Sequence, residues 1–280
     1  MLNAIGKLMA DVRASFSGSI PEYYDKYLGP AWFDAYATDL AQRLSVDPPG
    51  DVLEIACGTG LVTRRLRERL DSTIRLIATD LSKPMLDYAR SKLSDRRGIE
   101  WREADAGRLP FGDEKFGAVV CAFGLMFVPD KHAAVREARR VLKEGGILLF
   151  SVWDCIEDNP HAAINAQIVE ALFPDDEEMR FRIPYEMHNP ALLRQILADN
   201  GFRDVQIEKR RLLLDRVSAR AVAIGQIRGT PRSLPIEKRG VSLDEVTDKV
   251  AAALAQAGGE NPYRGVAQAI VVEARCQPPG

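Results

Sequence analysis

The sequence predicts an α/β fold: a doubly wound, mostly parallel seven-stranded sheet with an antiparallel edge strand, an N-terminal helical lid and a C-terminal helical insertion. From about residue 50, short apolar or β-branched runs alternate with stretches of helical period, the pattern of strands joined by crossover helices. The run Val52-Leu-Glu-Ile-Ala-Cys-Gly-Thr-Gly60 leads an almost wholly apolar strand into a glycine-bearing loop. A last apolar run arrives only after a long helix-rich stretch, as antiparallel strands at sheet edges often do.

Residues 1–48 read as helical, with Tyr23, Tyr24, Tyr27, Trp32, Phe33 and Tyr36 crowded together, and are expected to form the lid. Asp47-Pro-Pro-Gly50 breaks the chain. Residues 52–56 form the first strand, and Leu61, Val62, Leu66 and Leu70 share one face of the helix that follows. A second strand, 74–79, ends at Asp80; Ser82 caps a helix with Pro84 in its first turn and Met85, Leu86, Ala89 and Leu93 turned inward. Strands follow at 99–103 and 116–122. Asp130 then caps a helix with Ala134, Val135, Ala138, Val141 and Leu142 at helical spacing, Gly145-Gly146 stops it, and 147–153 is a fifth strand. Beyond lie helices near 161–172 and 190–200, a strand near 205–214, helices near 218–228 and 242–257, and a strand over 266–274. The expected division is a lid (1–48), a cofactor-binding core (49–155), and a C-terminal part of the sheet with a helical insertion over the substrate (156–280).

With 280 residues, 46% of them hydrophobic, the chain can bury a large core. Its 38 Lys and Arg against 40 Asp and Glu give a net charge of −2, so no extended basic surface is implied and nucleic acid is not expected as the main partner. No run of about 18 apolar residues predicts a membrane span, and the first residues lack the pattern of a signal peptide; a cytoplasmic protein is expected. Cysteines 57, 121, 155 and 276 fall in no C-x-x-C pattern and are expected to be reduced, not zinc ligands.

In an open parallel sheet the ligand sits beyond the carboxyl ends of the strands. There Gly58 and Gly60 let a ligand lie against the main chain, although a plain glycine turn has the same sequence. Asp80, twenty positions after Gly60, suits the two hydroxyls of an adenosine ribose; helix capping is its alternative, and Ser82 is better placed for that. Asp105, after the third strand, can meet the exocyclic amine of adenine, or be an ordinary loop acid.

Together these residues resemble the class I S-adenosylmethionine-dependent methyltransferases over roughly residues 20–155, and more loosely to the C-terminus, in particular the type acting on quinones and other small molecules. Glu54 to Gly60 is similar to the family's first motif; Asp80, Ala104-Asp-Ala106 and Phe116-Gly-Ala-Val-Val-Cys-Ala-Phe123 stand where its later motifs stand. The resemblance implies that S-adenosylmethionine is bound, with S-adenosylhomocysteine the product. It implies that Gly58 and Gly60 flank the methionyl part, with Glu54 bracing the glycine loop near the methionyl amine. Asp80 would hold the ribose, Leu81 or Met85 pack on adenine, Asp105 and Ala106 meet its edge, and Ala122 and Phe123 stand beside the sulfonium. Ala56 stands where many members have glycine.

The rival readings are an NAD-type oxidoreductase, disfavoured because its third glycine is here Thr63, and a homologue that binds the cofactor without catalysis. No general base is assigned. His161 and His188 are candidates with ordinary structural alternatives, His132 is a weaker one, and Tyr23 and Tyr24 are packing or acceptor-orienting residues. No metal is expected, since Asp154 is followed by Cys155 where a second oxygen ligand would be wanted. Leu125, Met126 and Phe127 suggest an apolar or aromatic small-molecule acceptor, or simply core. The acceptor atom, the pathway and the oligomeric state, with a homodimer as one option, stay open.

Overall fold

The computed structural model describes residues 16, 18–46, 48–180 and 182–276; most of the predicted lid before Ile20, and Asp47 of the predicted chain break, lie outside them. The strands are β1 (Asp51–Ile55), β2 (Leu76–Asp80), β3 (Ile99–Glu103), β4 (Phe116–Ala122), β5 (Leu142–Trp153), β6 (Phe202–Leu214) and β7 (Gly265–Cys276). They form one sheet in the order β3-β2-β1-β4-β5-β7-β6. β1 to β5 run parallel, whereas β7 runs antiparallel to both β5 and β6.

The antiparallel strand is therefore second from the edge, and β6 is outermost. Composition explains the order. β7 buries Ala267, Ala269, Ile270, Val271, Val272 and Ala274, as an interior strand must, whereas β6 exposes Arg203, Glu208, Lys209, Arg210 and Arg211. Charges along an outer strand discourage pairing with another chain.

The helices preceding β1 are α1 (Ile20–Tyr23), a π-helical stretch (Tyr24–Phe33) and α2 (Asp34–Arg43). Pro30 lies inside the wide turns, where its missing N–H prevents ordinary α-helical bonding. This segment belongs to the core. Leu28, Trp32, Tyr36 and Leu40 are buried, and the Tyr36 hydroxyl donates to Ala267 O on β7 (3.0 Å) and to Arg210 O on β6 (3.1 Å). These described residues of the predicted lid pack into the core and are tied to β6 and β7.

Between strands run α3 (Leu61–Arg69), α4 (Lys83–Lys92) and α5 (Lys131–Val141). Ser82 Oγ accepts from Met85 N at 3.5 Å and Asp130 Oδ1 from Ala133 N at 2.8 Å, the predicted caps. α5 ends four residues before Gly145, and β5 starts at Leu142, earlier than expected, taking in both glycines beside a register shift on β4. α6 (Pro160–Leu172), α7 (Pro190–Asp199), α8 (Ala219–Arg228), α9 (Ser233–Lys238) and α10 (Leu243–Gly258) complete the chain. The four cysteines are free, and among the described residues no helix is long and apolar enough to cross a membrane.

Candidate functional site

Strand order reverses between β1 and β4, and a crevice opens beyond their carboxyl ends. Two loops line it. Ala56 (φ 54°) follows β1, Phe123 (φ 54°) follows β4, and both hold a left-handed backbone that non-glycine residues seldom adopt, a strain typical of functional loops. The loops interlock: a Cβ at Gly124 would overlap the Ala56 methyl and press on Cys121 Sγ at 3.1 Å. Gly124→Ala is thus expected to destabilise the fold by about 2–3 kcal/mol, with most of the loss recovered when Ala56→Gly is added. Urea unfolding of both variants decides it; additive effects would mean that the clash is relieved elsewhere.

Asp80 fastens the first loop. Its Oδ2 accepts from Gly58 N (2.8 Å) and its Oδ1 from Ser82 N (2.7 Å), leaving further lone pairs on each oxygen. Gly58 (φ 54°) has nothing within 4 Å of the place a Cβ would occupy, so the main chain there is open to a ligand. Gly60 differs from expectation. Its φ of 80° begins α3, and a Cβ on it would meet Ala89 Cβ and Leu93 Cδ1, both at 3.1 Å, so this glycine lets α4 close on the loop and lines neither cavity described below.

Glu54 is the anomaly of β1, a carboxyl 1% exposed inside an apolar strand. Among the described residues its Oε2 has no hydrogen-bond partner, nor has the hydroxyl of Thr59, while the side chain and main chain of Thr63 approach the carboxyl. Burial pushes the carboxyl up to about 8, partly offset by Thr63. Glu54 and Thr59 line a small cavity of ≈ 50 Å³ with Gly58 and Phe123. A buried carboxyl with one oxygen unpaired suits an incoming ammonium group.

The main cavity, ≈ 260 Å³, starts at this crevice and runs toward the C-terminal helices. Gly58, Asp80, Leu81, Met85, Asp105, Ala106, Ala122 and Phe123 line its near end, so every expected cofactor residue but Glu54 and Gly60 faces it. Asp105 Oδ1 also accepts from Gly107 N at 2.8 Å, which fixes its loop. Tyr24, Trp32, Phe33, Met126, Phe127 and Trp153 supply an apolar wall. Phe123 and Trp153 rings lie 4.4 Å apart and Phe33 and Phe123 rings 5.2 Å apart, so the N-terminal segment and both strand ends share one aromatic cluster.

Of the three histidines, His161 lines this cavity, 1% exposed, stacked on Trp32 at 4.5 Å. Burial lowers its imidazole to about 3, so it is neutral and a poor base. His188 is exposed, its Nδ1 2.7 Å from Tyr185 O, and His132 Nδ1 lies 3.2 Å from Asn200 Nδ2; neither lines the cavity. Tyr24 lines it but Tyr23 does not; Tyr23 stacks on Tyr27 at 5.8 Å. The phenols of Tyr24 and Tyr185 are pushed far up by burial.

Sequence reasoning missed Asn165, Gln226 and Arg232, which line the far end. For Asn165 and Gln226 the one signal is polar character on helical faces that are otherwise buried, and Arg232 lies in the turn before α9. Asp154, Cys155 and Asp158 also stand close enough to share a cation, more nearly a ligand set than the Cys155 argument allowed. Lys209 Nζ already sits 2.7 Å from Asp154 Oδ2, and Gln268 Nε2 donates to the same oxygen at 2.8 Å.

The family described as "Methyltransferase domain" matches residues 53–150. The ubiquinone/menaquinone biosynthesis C-methyltransferase of Hahella chejuensis is 38% identical over 118 residues, 39% of this chain and 47% of that protein. The demethylmenaquinone methyltransferase of Staphylococcus saprophyticus is 32% identical over 142 residues, 50% of this chain and 59% of that one. The chain thus spans about half the length of the curated relatives it matches. Two solved structures share the fold: a SAM-dependent methyltransferase from Thermotoga maritima (TM-score 0.52, 19% identity, 91% of this chain and 94% of that one), and phosphoethanolamine N-methyltransferase 2 of Haemonchus contortus in complex with S-adenosyl-L-methionine (0.57, 14%, 92% and 57%).

Proposed function

We propose, from a chain whose fold is that of the class I S-adenosylmethionine-dependent methyltransferases, that it transfers a methyl group from S-adenosylmethionine to a small apolar or aromatic acceptor, releasing S-adenosylhomocysteine. The observation that carries this reading is one continuous cavity with acids and a bare glycine backbone at one end and aromatic side chains at the other. The sites fit the cofactor: Asp80 presents carboxylate lone pairs to a diol, Glu54 offers an unpartnered acceptor to an ammonium, and Gly58 leaves room along the main chain. Leu81 and Met85 would pack on the adenine, with Asp105 and Ala106 at its edge and Ala122 and Phe123 beside the reacting centre. Residues 49–155 would hold the cofactor, and segments 1–48 and 156–280 cover the acceptor.

The bound cofactor supplies an electron-poor methyl group on a sulfonium; the bonding pair stays on sulfur, and the acceptor loses a proton overall. What this chain's residues contribute is position and dryness. Phe33, Phe123 and Trp153 wall the acceptor side against water, and they hold a flat molecule near the ends of β4 and β5. His161 and the two phenols offer no base near neutral pH. A cytoplasmic location is part of this reading, supported by four free cysteines.

Calorimetry with S-adenosylhomocysteine and with NADH separates this from the oxidoreductase reading: micromolar binding of the first and none of the second is expected, and the reverse would overturn the proposal. A panel of phenols, quinols and amines with labelled S-adenosylmethionine, read by product mass, then identifies the acceptor atom.

A further inference from the structure

The far end of the cavity carries a chain of hydrogen bonds whose direction is fixed at both ends. A guanidinium only donates, so the bond from Arg232 Nη1 to Asn165 (2.8 Å) must end on its amide oxygen. Asn165 then presents its NH₂ to Gln226 Oε1 at 3.2 Å. A carbonyl only accepts, so the Gln226 atom 3.2 Å from His161 O is its nitrogen, in agreement with the other end. That same nitrogen lies 2.9 Å from His161 Nδ1, which therefore accepts. The proton of the neutral ring is on Nε2.

Among the described residues that Nε2–H has no partner, and neither has the indole N–H of Trp32, the ring stacked upon it. Both side chains line the cavity and are at most 3% exposed. Two buried donors that cannot easily lose their protons, in one stacked pair, are costly unless an acceptor reaches them. Arg232 stands at the same end, 9% exposed, with Tyr185, Glu170 and Arg182 as its titratable neighbours. Glu170 is paired with Arg182 at 3.0 Å, and Arg232 Nη2 donates to Met179 O at 3.4 Å.

We propose that the acceptor is an acidic oxygen compound, a phenol or an enol, bound with its ionised oxygen received by His161 Nε2–H and Trp32 Nε1–H and its charge balanced by Arg232. The proposal rests on the methyltransferase reading and deepens it. It accounts for an acceptor end at which His161 and the phenols of Tyr24 and Tyr185 offer no base: the buried cation favours the ionised acceptor, which releases its proton to solvent on binding, so no side chain takes a proton in the transfer step. Burial already lowers the Arg232 guanidinium to about 10, a cost that a bound anion relieves. His161, foreseen as a candidate base, becomes a donor whose tautomer Gln226 enforces.

The test uses 4-nitrophenol, whose phenolate absorbs visible light and whose neutral form does not, titrated into the full chain saturated with S-adenosylhomocysteine. The bound probe is expected to ionise about one pH unit or more below the free probe, giving roughly tenfold more phenolate to phenol at a given pH. Arg232→Met should abolish the shift, and His161→Phe and Trp32→Phe should each weaken binding of the phenolate by about fivefold. Affinity for S-adenosylhomocysteine serves as the check that each variant folds. An unshifted probe in the unsubstituted protein, or no saturable binding, overturns the proposal whatever the variants do. Failure to bind S-adenosylhomocysteine strikes the methyltransferase reading instead, and the same titration without it still reports on the oxygen subsite.

Discussion

Asp80→Ala is expected to lower affinity for S-adenosylhomocysteine by at least about 100-fold, measured by calorimetry, while leaving a folded protein. The size of the effect comes from two losses at once. On the proposed reading the carboxylate receives the ribose hydroxyls, and removing it deletes charge-assisted bonds that no neighbour replaces. It also frees Gly58 N and Ser82 N, now held at 2.8 and 2.7 Å, so the loop that the cofactor must lie against loses its anchor. Asp80→Asn separates the two: it can still accept one backbone bond and should fall between the parent and the alanine variant. Unchanged affinity in both would remove Asp80 from the site.

Glu54→Gln should make the ligand-free protein more stable at pH 8 and leave it unchanged at pH 5. The sign follows from the direction of the shift. In the unfolded chain Glu54 ionises near 4.5, whereas in the fold burial holds the proton on to about 8. Between those values the unfolded state has lost a proton that the folded state keeps, so stability falls as pH rises, by about 1.4 kcal/mol per unit at most. Glutamine has no such proton. The gain near pH 8 should be on the order of 3–4 kcal/mol, a rise of several degrees in Tm for a chain of this size. Cofactor affinity should drop at the same time, because the carboxylate that destabilises the empty fold is the one proposed to meet the methionyl amine. A pH-independent difference between the two proteins would show that Glu54 is already ionised without a ligand.

Much of the near end of the site was legible in the sequence because parallel strands announce themselves as apolar runs, and their carboxyl ends are where chemistry collects. Glu54 stood out as an acid in such a run. Asp80 and Asp105 closed strands at the expected spacing. The same reasoning did not foresee the packing at Gly60, since a glycine that admits a ligand and one that admits a neighbouring helix look alike until Ala89 and Leu93 are brought against it. The far end was illegible for a different reason. Asn165, Gln226 and Arg232 are more than fifty residues from the glycine loop and join His161 only through helix packing, which period and propensity do not specify. The position of β7 inside β6 was readable in principle, from the apolar run Ala269 to Val272 beside a strand full of charges, but the last strand was expected at the edge by position in the chain.

The aromatic cluster also makes the protein its own optical instrument. Of its three tryptophans, Trp32 and Trp153 both line the main cavity, with rings 6.1 Å apart, and Trp101 packs near the glycine loop with Cys57 and Leu86. Two of the three emitting indoles thus border the cavity side by side. A conjugated guest lodged there would drain that emission, and its arrival could be followed in real time without dye, label or turnover.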